Sequence, residues 1–402
     1  MISLQDLLVE LVYSRSTAGI PVRWTANLLS IGCDATNIEM HGMAMNRQQK
    51  LASIAAATMA NRDTPFIRNA WYVAAKSSEI TRELFSRHYL GVSTVLFRKE
   101  DDSVVALQNR CCHRSFPLSE GKLDGDVLEC GYHGFRYDCS GKCIAVPSQK
   151  KPPENIALRS FPVIEKKPFV WIWPGDPELA YESLLPHQEY FDHPEWAVNI
   201  GFLNIKGSYV HLHENLLDLS HLSFLHDKTF GTPEYARAPI EETVDDSHFE
   251  VWRRVECELP PIYAKPLGWE GEKALRSSGS LYVSPGLHIN TGILENLSAP
   301  EKMEALHPLV KVAQLITPET NTSTNYYYAQ CRNFAIDDKE MGAFMLEANQ
   351  LAFSEDVFAI EHINNMQDCD QTPGFYEVEV AADKPGVYMR RHLKKLSDAE
   401  QE

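Results

Sequence analysis

Residues 109–138 read NRCCHRSFPLSEGKLDGDVLECGYHGFRYD and contain two short Cys/His pairs. The first pair is Cys111-x-His113, and after sixteen intervening residues comes the second, Cys130-x-x-His133. Each pair can offer a metal centre one soft thiolate and one imidazole. Structural zinc sites also use two cysteines and two histidines, but zinc fingers place both cysteines before both histidines. The two mixed pairs therefore predict a metal centre that is not a zinc finger.

The composition excludes several classes of protein. A net charge of -17 over 402 residues argues against nucleic acid, whose phosphates attract basic surfaces. The sequence shows no apolar run long enough to span a bilayer and no signal peptide, so we expect no membrane attachment and a cytoplasmic location. Five of the nine cysteines lie within residues 111–143, and such clustering favours metal binding over disulfides.

Changes in composition divide the chain into three predicted parts. Residues 1–62 contain five of the ten methionines and little that could form a core. We interpret them as a poorly ordered extension, or as the product of a start codon assigned too far upstream. Residues 63–175 are rich in β-branched and aromatic runs that predict strands, and they end at the turn-forming sequence PGDP. Residues 176–402 mix strands with helices.

A second group of ionisable residues lies in the leucine-rich stretch ENLLDLSHLSFLH, residues 214–226. We expect a helix over about 208–226, on which Asp218 and His221 would share a face. His226 would lie about 140° from His221 on an ideal helix, so the helix must distort or end if both imidazoles reach one ion. Taken alone, the three residues could equally be core histidines paired with an acid.

A long helix is predicted over about 337–366, and it contains the segment LAFSEDVFAIEHINN. Asp356 has apolar residues at the helical neighbour spacings, which places it on an apolar stripe. Glu355 has similar surroundings, so periodicity does not choose between the two acids. The alternative is a solvated Glu-Asp pair on a surface helix.

Together these motifs resemble the Rieske non-haem iron oxygenases, and among them the vanillate O-demethylase-type aryl oxygenases. The resemblance covers about residues 66–395. It is carried by the segments FIRNAWYVAA, CGYHGF, WIWPGD, ENLLDLSH, ITPET and FSED. One departure is Cys112, which stands where relatives commonly carry proline.

The resemblance implies two sets of metal ligands. The implied ligands of a Rieske [2Fe–2S] cluster are Cys111, His113, Cys130 and His133. The implied ligands of a mononuclear Fe(II) are His221, His226 and Asp356, with the family pattern favouring Asp356 over Glu355. Asp218 resembles the family's aspartate that bridges the cluster of one subunit and the iron of its neighbour, and Asn215 is a candidate substrate-binding residue.

The resemblance also implies a fold and an activity. The expected fold is α+β: a β-rich Rieske domain, then a helix-grip (START-like) domain with a long helix across an antiparallel sheet. The expected function is the oxygenase component of a multicomponent monooxygenase that uses O2 to O-demethylate a methoxylated aryl acid with release of formaldehyde. Because the chain lacks a G-x-G-x-x-G motif, it should need an NAD(P)H-dependent reductase of the flavin or ferredoxin type. A homotrimer is expected.

Three alternatives remain open from the sequence. The enzyme could hydroxylate a ring or oxidise a methyl group instead. A pure Rieske electron carrier could stop near residue 176 and would not explain the second set of ligands. A zinc-stabilised binding module would be colourless. Iron content separates them, because an oxygenase should hold about three irons per chain and an electron carrier about two.

Overall fold

The computed structural model describes residues 66–401 apart from 153, 304–306, 371 and 373–376. The extension predicted over residues 1–62 lies outside the described residues. In the part of the chain that is described, no helix is both long and apolar enough to cross a bilayer.

Ten short strands build three small antiparallel sheets in the first part of the described chain. The sheets have the strand orders β1-β10-β9, β2-β3-β4 and β5-β6-β7-β8. The strands are β1 Tyr72–Lys76, β2 Phe85–Tyr89, β3 Val92–Arg98, β4 Val104–Gln108, β5 Lys122–Asp124, β6 Val127–Glu129, β7 Arg136–Tyr137, β8 Cys143–Ala145, β9 Val163–Lys166 and β10 Phe169–Ile172.

A seven-stranded antiparallel sheet dominates the second part, with the order β11-β17-β16-β15-β14-β13-β12. Its strands are β11 Ala197–Ile205, β12 Glu241–Val244, β13 Phe249–Glu258, β14 Lys273–Ser284, β15 Leu287–Asn296, β16 Leu309–Thr320 and β17 Ser323–Arg332. The predicted boundary between residues 175 and 176 falls in the segment that joins β10 to β11.

The α-helices of the described residues are α1 Tyr209–Leu217, α2 Pro261–Leu267, α3 Lys339–Cys369 and α4 Lys384–Ala399. Helix α3 is the long helix predicted from the sequence, and Asp338 caps it by accepting a hydrogen bond from the Met341 N–H. Phe353 and Ile360 on α3 are buried in the core shared with the sheet, and the Phe353 ring contacts Tyr326 and Tyr328. The predicted α+β fold is confirmed.

The two faces of the large sheet bury different partners. Alternate residues of a strand point to opposite faces, so each strand contributes to both. Leu287 and Leu315 belong to a core that includes three tryptophans. Trp71 directly precedes β1, Trp171 lies in β10, and Trp173 directly follows β10. The opposite face, here called the inner face, carries Tyr326 and Tyr328 and is covered by α3.

The helix expected over 208–226 is wrong beyond Leu217, where α1 ends. Asp218 has an extended backbone, and its carboxylate accepts a hydrogen bond from the Ser220 N–H at 2.7 Å. Aspartate side chains compete with helical hydrogen bonds in this way, which favours a helix end. His221 follows in a single 3₁₀ turn, and the chain reaches His226 without further helix. Asp218 and His221 therefore share no helical face.

Candidate metal centres

The two Cys/His pairs lie on turns that close in the same way. The Cys111 N–H donates to the Phe116 carbonyl at 2.9 Å, and the Cys130 N–H donates to the Phe135 carbonyl at 2.8 Å. The residue before each phenylalanine has a positive φ, +59° in the first turn and +69° in the second. The sequence motif thus corresponds to a pair of equivalent turns.

Each turn buries its cysteine and exposes its histidine. Cys111 and Cys130 are each 2% exposed, whereas His113 and His133 lie at the surface with ring centroids 4.5 Å apart. The Tyr137 hydroxyl lies 3.2 Å from the Cys111 sulfur. The arrangement fits a cluster that is held by thiolates at its buried end and by imidazoles at its surface end. Two thiolates and two imidazoles are the donor set of a Rieske centre.

A second constellation joins three separate segments of the chain. The potential ligand atoms of His221, His226 and Asp356 all lie within 4.8 Å of one another. Nε2 of His221 is 3.5 Å from Oδ1 of Asp356, and Nε2 of His226 is 3.2 Å from the same oxygen. The 3₁₀ turn, the loop after it and α3 each contribute one side chain.

The three residues fit a metal ion better than they fit one another. His226 is fully buried, yet its Nε2 makes no hydrogen bond with the described residues despite its distance from Asp356. A nitrogen and a carboxylate oxygen that lie this close without hydrogen-bond geometry can both be directed at a metal ion between them. Buried ionisable groups are costly unless they are paired or coordinate a metal. Two imidazoles and one carboxylate are the donor set of non-haem Fe(II) sites.

Glu355 contacts the other nitrogen of His226. Its Oε2 lies 2.7 Å from Nδ1 of His226 and accepts a hydrogen bond from the Thr229 hydroxyl at 2.7 Å. Burial alone would lower the pKa of His226, but the carboxylates of Asp356 and Glu355 raise it. A carboxylate in this position fixes the Nδ1–H tautomer and directs Nε2 toward Asp356. The structure thus places Asp356, and not Glu355, between the two imidazoles.

Asn215 and Asp218 lie beside this constellation and contact it differently. Asn215 lines the adjoining pocket, and its amide donates to Oδ1 of Asp356 at 2.9 Å. Burial lowers the pKa of His221, and the charges of Asp356 and Asp218 partly oppose this effect. Among the described residues, Asp356 is the acid whose carboxylate lies within 4.0 Å of the His221 imidazole. The bridging role of Asp218 requires a second subunit and stays a prediction.

A pocket adjoins the constellation, between α3 and the inner face of the sheet. Phe230 forms one wall and stacks on His226, with ring centroids 4.3 Å apart. Asn290 and Gln314 line the pocket from the neighbouring strands β15 and β16. The Gln314 amide donates to Asn290 Oδ1 at 2.7 Å. Sequence reasoning missed these polar residues because nothing in their own strands distinguishes them from sheet residues.

Comparison with known proteins gives two family matches. Residues 70–162 match the Rieske [2Fe-2S] domain, and residues 205–399 match the vanillate O-demethylase oxygenase C-terminal domain. The first range contains all four predicted cluster ligands. The second contains all three predicted iron ligands.

Individual relatives match over almost their whole length. The iron-sulfur subunit of the toluene-4-sulfonate monooxygenase system of Comamonas testosteroni is 34% identical, over 83% of this chain and 98% of that protein. The vanillate O-demethylase oxygenase subunit of Pseudomonas sp. (strain HR199 / DSM 7063) is 30% identical, over 84% and 96%. A crystal structure of dicamba monooxygenase with non-heme iron and dicamba superposes with a TM-score of 0.71 at 29% identity, over 84% and 99%.

Two neighbouring cysteines test the cluster assignment. We expect Cys111→Ser to abolish the visible absorbance of the [2Fe–2S] cluster, because a serine oxygen replaces a buried thiolate. Cys112→Ala is the matched control and should retain the absorbance, since the Cys112 side chain is exposed. Loss of the cluster in the Cys112 variant with retention in the Cys111 variant would overturn the assignment.

Two neighbouring acids test the mononuclear site in the same way. Asp356→Ala should lose the mononuclear iron and keep the cluster spectrum, because the two sites use separate residues. Glu355→Gln should keep the iron but weaken its binding by about 10- to 100-fold, as is typical when a group that orients a ligand is altered. Iron quantification beside the cluster absorbance measures both. The opposite order of losses would make Glu355 the ligand.

Proposed function

The chain belongs to the oxygenase components of the Rieske non-haem iron oxygenases related to vanillate O-demethylase, and we propose that it O-demethylates a methoxylated aryl acid. Its cofactors are a Rieske [2Fe–2S] cluster and a mononuclear iron. The observation that carries the proposal is the pocket between α3 and the sheet, because His221, His226 and Asp356 line it together with aromatic and apolar residues.

The proposed reaction needs electrons that the chain alone does not generate. With both groups bound, the cluster supplies electrons and the iron activates O2 beside the substrate. One oxygen atom enters the methoxy carbon and the other leaves as water, at the expense of two electrons from NAD(P)H. The hydroxylated carbon is a hemiacetal, which breaks into a phenol and formaldehyde. Phe230 and Tyr263 form apolar walls that hold the aryl ring and keep water out.

A second candidate reaction is oxidation of a methyl group on an aryl sulfonate. The 34% identity to a subunit of a toluene-4-sulfonate monooxygenase system favours it. Both reactions insert one oxygen atom into a terminal carbon. They differ in product, because the methyl substrate keeps its carbon as a hydroxymethyl group and releases no formaldehyde.

The assembly and its partner are part of the proposal. A separate reductase serves relatives that are components of multicomponent systems, and we propose an NAD(P)H-dependent enzyme of the flavin or ferredoxin type here. We also propose a homotrimer in which Asp218 connects the iron site to the neighbouring subunit's cluster. The exposed position of His113 and His133 supports such a contact. Tyr132 beside them is 59% exposed and would add an aromatic side chain to such a contact.

The reaction is tested with a panel of methoxylated aryl acids, aryl ethers and methylated aryl sulfonates, supplied with a surrogate reductase and NADH. We expect formaldehyde in a one-to-one ratio with O2 consumed for at least one methoxylated acid. Asp356→Ala should release none. Hydroxymethyl products without formaldehyde would replace the proposal by the second candidate, and O2 consumption with a ring-hydroxylated product would contradict both.

The bridging role is tested with Asp218→Asn, which keeps the shape of the side chain and removes its charge. The variant should assemble as wild type in sedimentation, keep its iron and accept electrons into the cluster at the normal rate. Reoxidation of the cluster in the presence of substrate and O2 should slow by at least about tenfold. Reoxidation near the wild-type rate would refute the bridge, and loss of the mononuclear iron would make Asp218 a ligand.

A further inference from the structure

Arg276 is a buried cation on the pocket wall. It lies on β14, is 2% exposed, and lines the same pocket as His221, His226 and Asp356. Burial of a guanidinium is costly unless its charge is matched by a partner. The groups around Arg276 therefore indicate whether the protein itself neutralises it.

The surroundings of Arg276 are aromatic and not acidic. Its Nη1 donates to the Phe230 carbonyl at 2.5 Å, and its Cζ lies 4.9 Å from the ring centroids of both Tyr235 and Tyr263. These two tyrosines and Cys257 are the ionisable side chains that act on it most strongly. Cation–π contacts and one carbonyl offset part of the cost of burial, but they leave a net positive charge at the pocket.

The other buried arginines of the described residues differ in this respect. Arg390 forms ion pairs with Glu214 and Glu379. Arg253 and Arg332 each donate to two backbone carbonyls, and neither lines the pocket. Within the described part of the chain, Arg276 is thus the buried arginine that lines this pocket, and no carboxylate forms an ion pair with it there.

The floor of the pocket beside Arg276 is open. Ser278 follows Arg276 on the same face of β14 and pairs with Gly292 on β15. A Cβ atom added at Gly292 would meet nothing closer than 3.9 Å, so the sheet is bare at this point. A flat ring can lie over these two small residues with one substituent directed at the guanidinium.

The distance from Arg276 to the metal constellation suits a single ring. Cζ of Arg276 is 5.8 Å from the centroid of Phe230, which is 4.3 Å from the centroid of His226. The separation of guanidinium and imidazole cannot exceed the sum of these two distances. One substituted benzene ring can bridge such a span between an anionic group and a reacting methyl group.

We propose that Arg276 is the specificity-determining residue of the pocket and binds the carboxylate or sulfonate of an aryl acid, with the reacting methyl group directed at His221, His226 and Asp356. The inference rests on the proposed function, since it assigns the orientation of the substrate in the same pocket. Arginine presents a planar pair of N–H donors that matches the oxygens of both anions. A neutral ligand of the same shape leaves the buried charge unmatched.

The test compares acids with neutral analogues of equal size, on the holoenzyme under anaerobic conditions. The probes are 4-methoxybenzoate against 4-methoxybenzamide, and toluene-4-sulfonate against toluene-4-sulfonamide, with dissociation constants measured by calorimetry. In the wild type we expect at least one acid to bind about tenfold more tightly than its amide. Arg276→Gln should weaken the binding of that acid by about 10- to 100-fold, the effect of losing a charged hydrogen bond. It should change the affinity for the amide by less than about threefold.

Two further variants separate recognition from structure. Arg276→Lys keeps the charge without the planar donor pair, so it should weaken the binding of the acid less than Arg276→Gln does. Arg254→Gln removes an exposed arginine that is paired with Glu241, and it should change the affinity for neither ligand. Equal losses for acid and amide would mean that Arg276 only supports Phe230. Absence of any preference for the acids in the wild type, including absence of binding, would also overturn the proposal.

The outcome is independent of the chemistry proposed above. A preference for acids that depends on Arg276, without formaldehyde from any methoxylated acid, would refute O-demethylation and leave the role of Arg276 intact. Formaldehyde release that does not depend on Arg276 would support O-demethylation and refute the role of Arg276.

Discussion

A single buried carboxylate oxygen, Oδ1 of Asp356, sets the geometry of the catalytic half of the molecule. It faces the imidazoles of His221 and His226 and accepts a hydrogen bond from Asn215. These contacts tie α3 to the end of α1 and to the loop that follows it. An acid that is 5% exposed on the apolar side of a helix is stable only with such partners. The segments that converge on Asp356 also enclose the pocket.

The large sheet links this site to the rest of the chain through its two faces. The inner face carries the pocket and its polar residues, and the opposite face packs on Trp71, Trp171 and Trp173. Since the side chains of each strand alternate between the faces, a change in the register of one strand would disturb both. The position of Arg276 relative to the metal constellation therefore depends on the same strand pairing that holds the small sheets against the large one.

The sequence predicted those features that depend on spacing within one short segment. The Cys/His pairs lie on equivalent turns, and the long helix runs close to its expected limits. The helix over 208–226 was wrong because Asp218 forms a local hydrogen bond that competes with helix formation. Strand β16 has no alternating pattern, since both faces of the sheet are covered, and it was not predicted.

Other features require tertiary structure by their nature. Asp356 and Glu355 have similar helical surroundings, and their difference lies in which nitrogen of His226 each one faces. Arg276 belongs to an ordinary strand sequence. It is distinctive because it is buried at the pocket wall without an ion pair, among aromatic side chains that come from different parts of the chain.

Anomalous diffraction at the iron absorption edge, from crystals of the aerobically purified holoenzyme, tests the central claim most directly. The account predicts one isolated peak bounded by Nε2 of His221, Nε2 of His226 and a carboxylate oxygen of Asp356. It also predicts a close pair of peaks between the turns of Cys111 and Cys130. An isolated peak ligated by Glu355 or Asp218 in place of Asp356 would contradict the account, as would a fully loaded crystal with no iron between the two imidazoles.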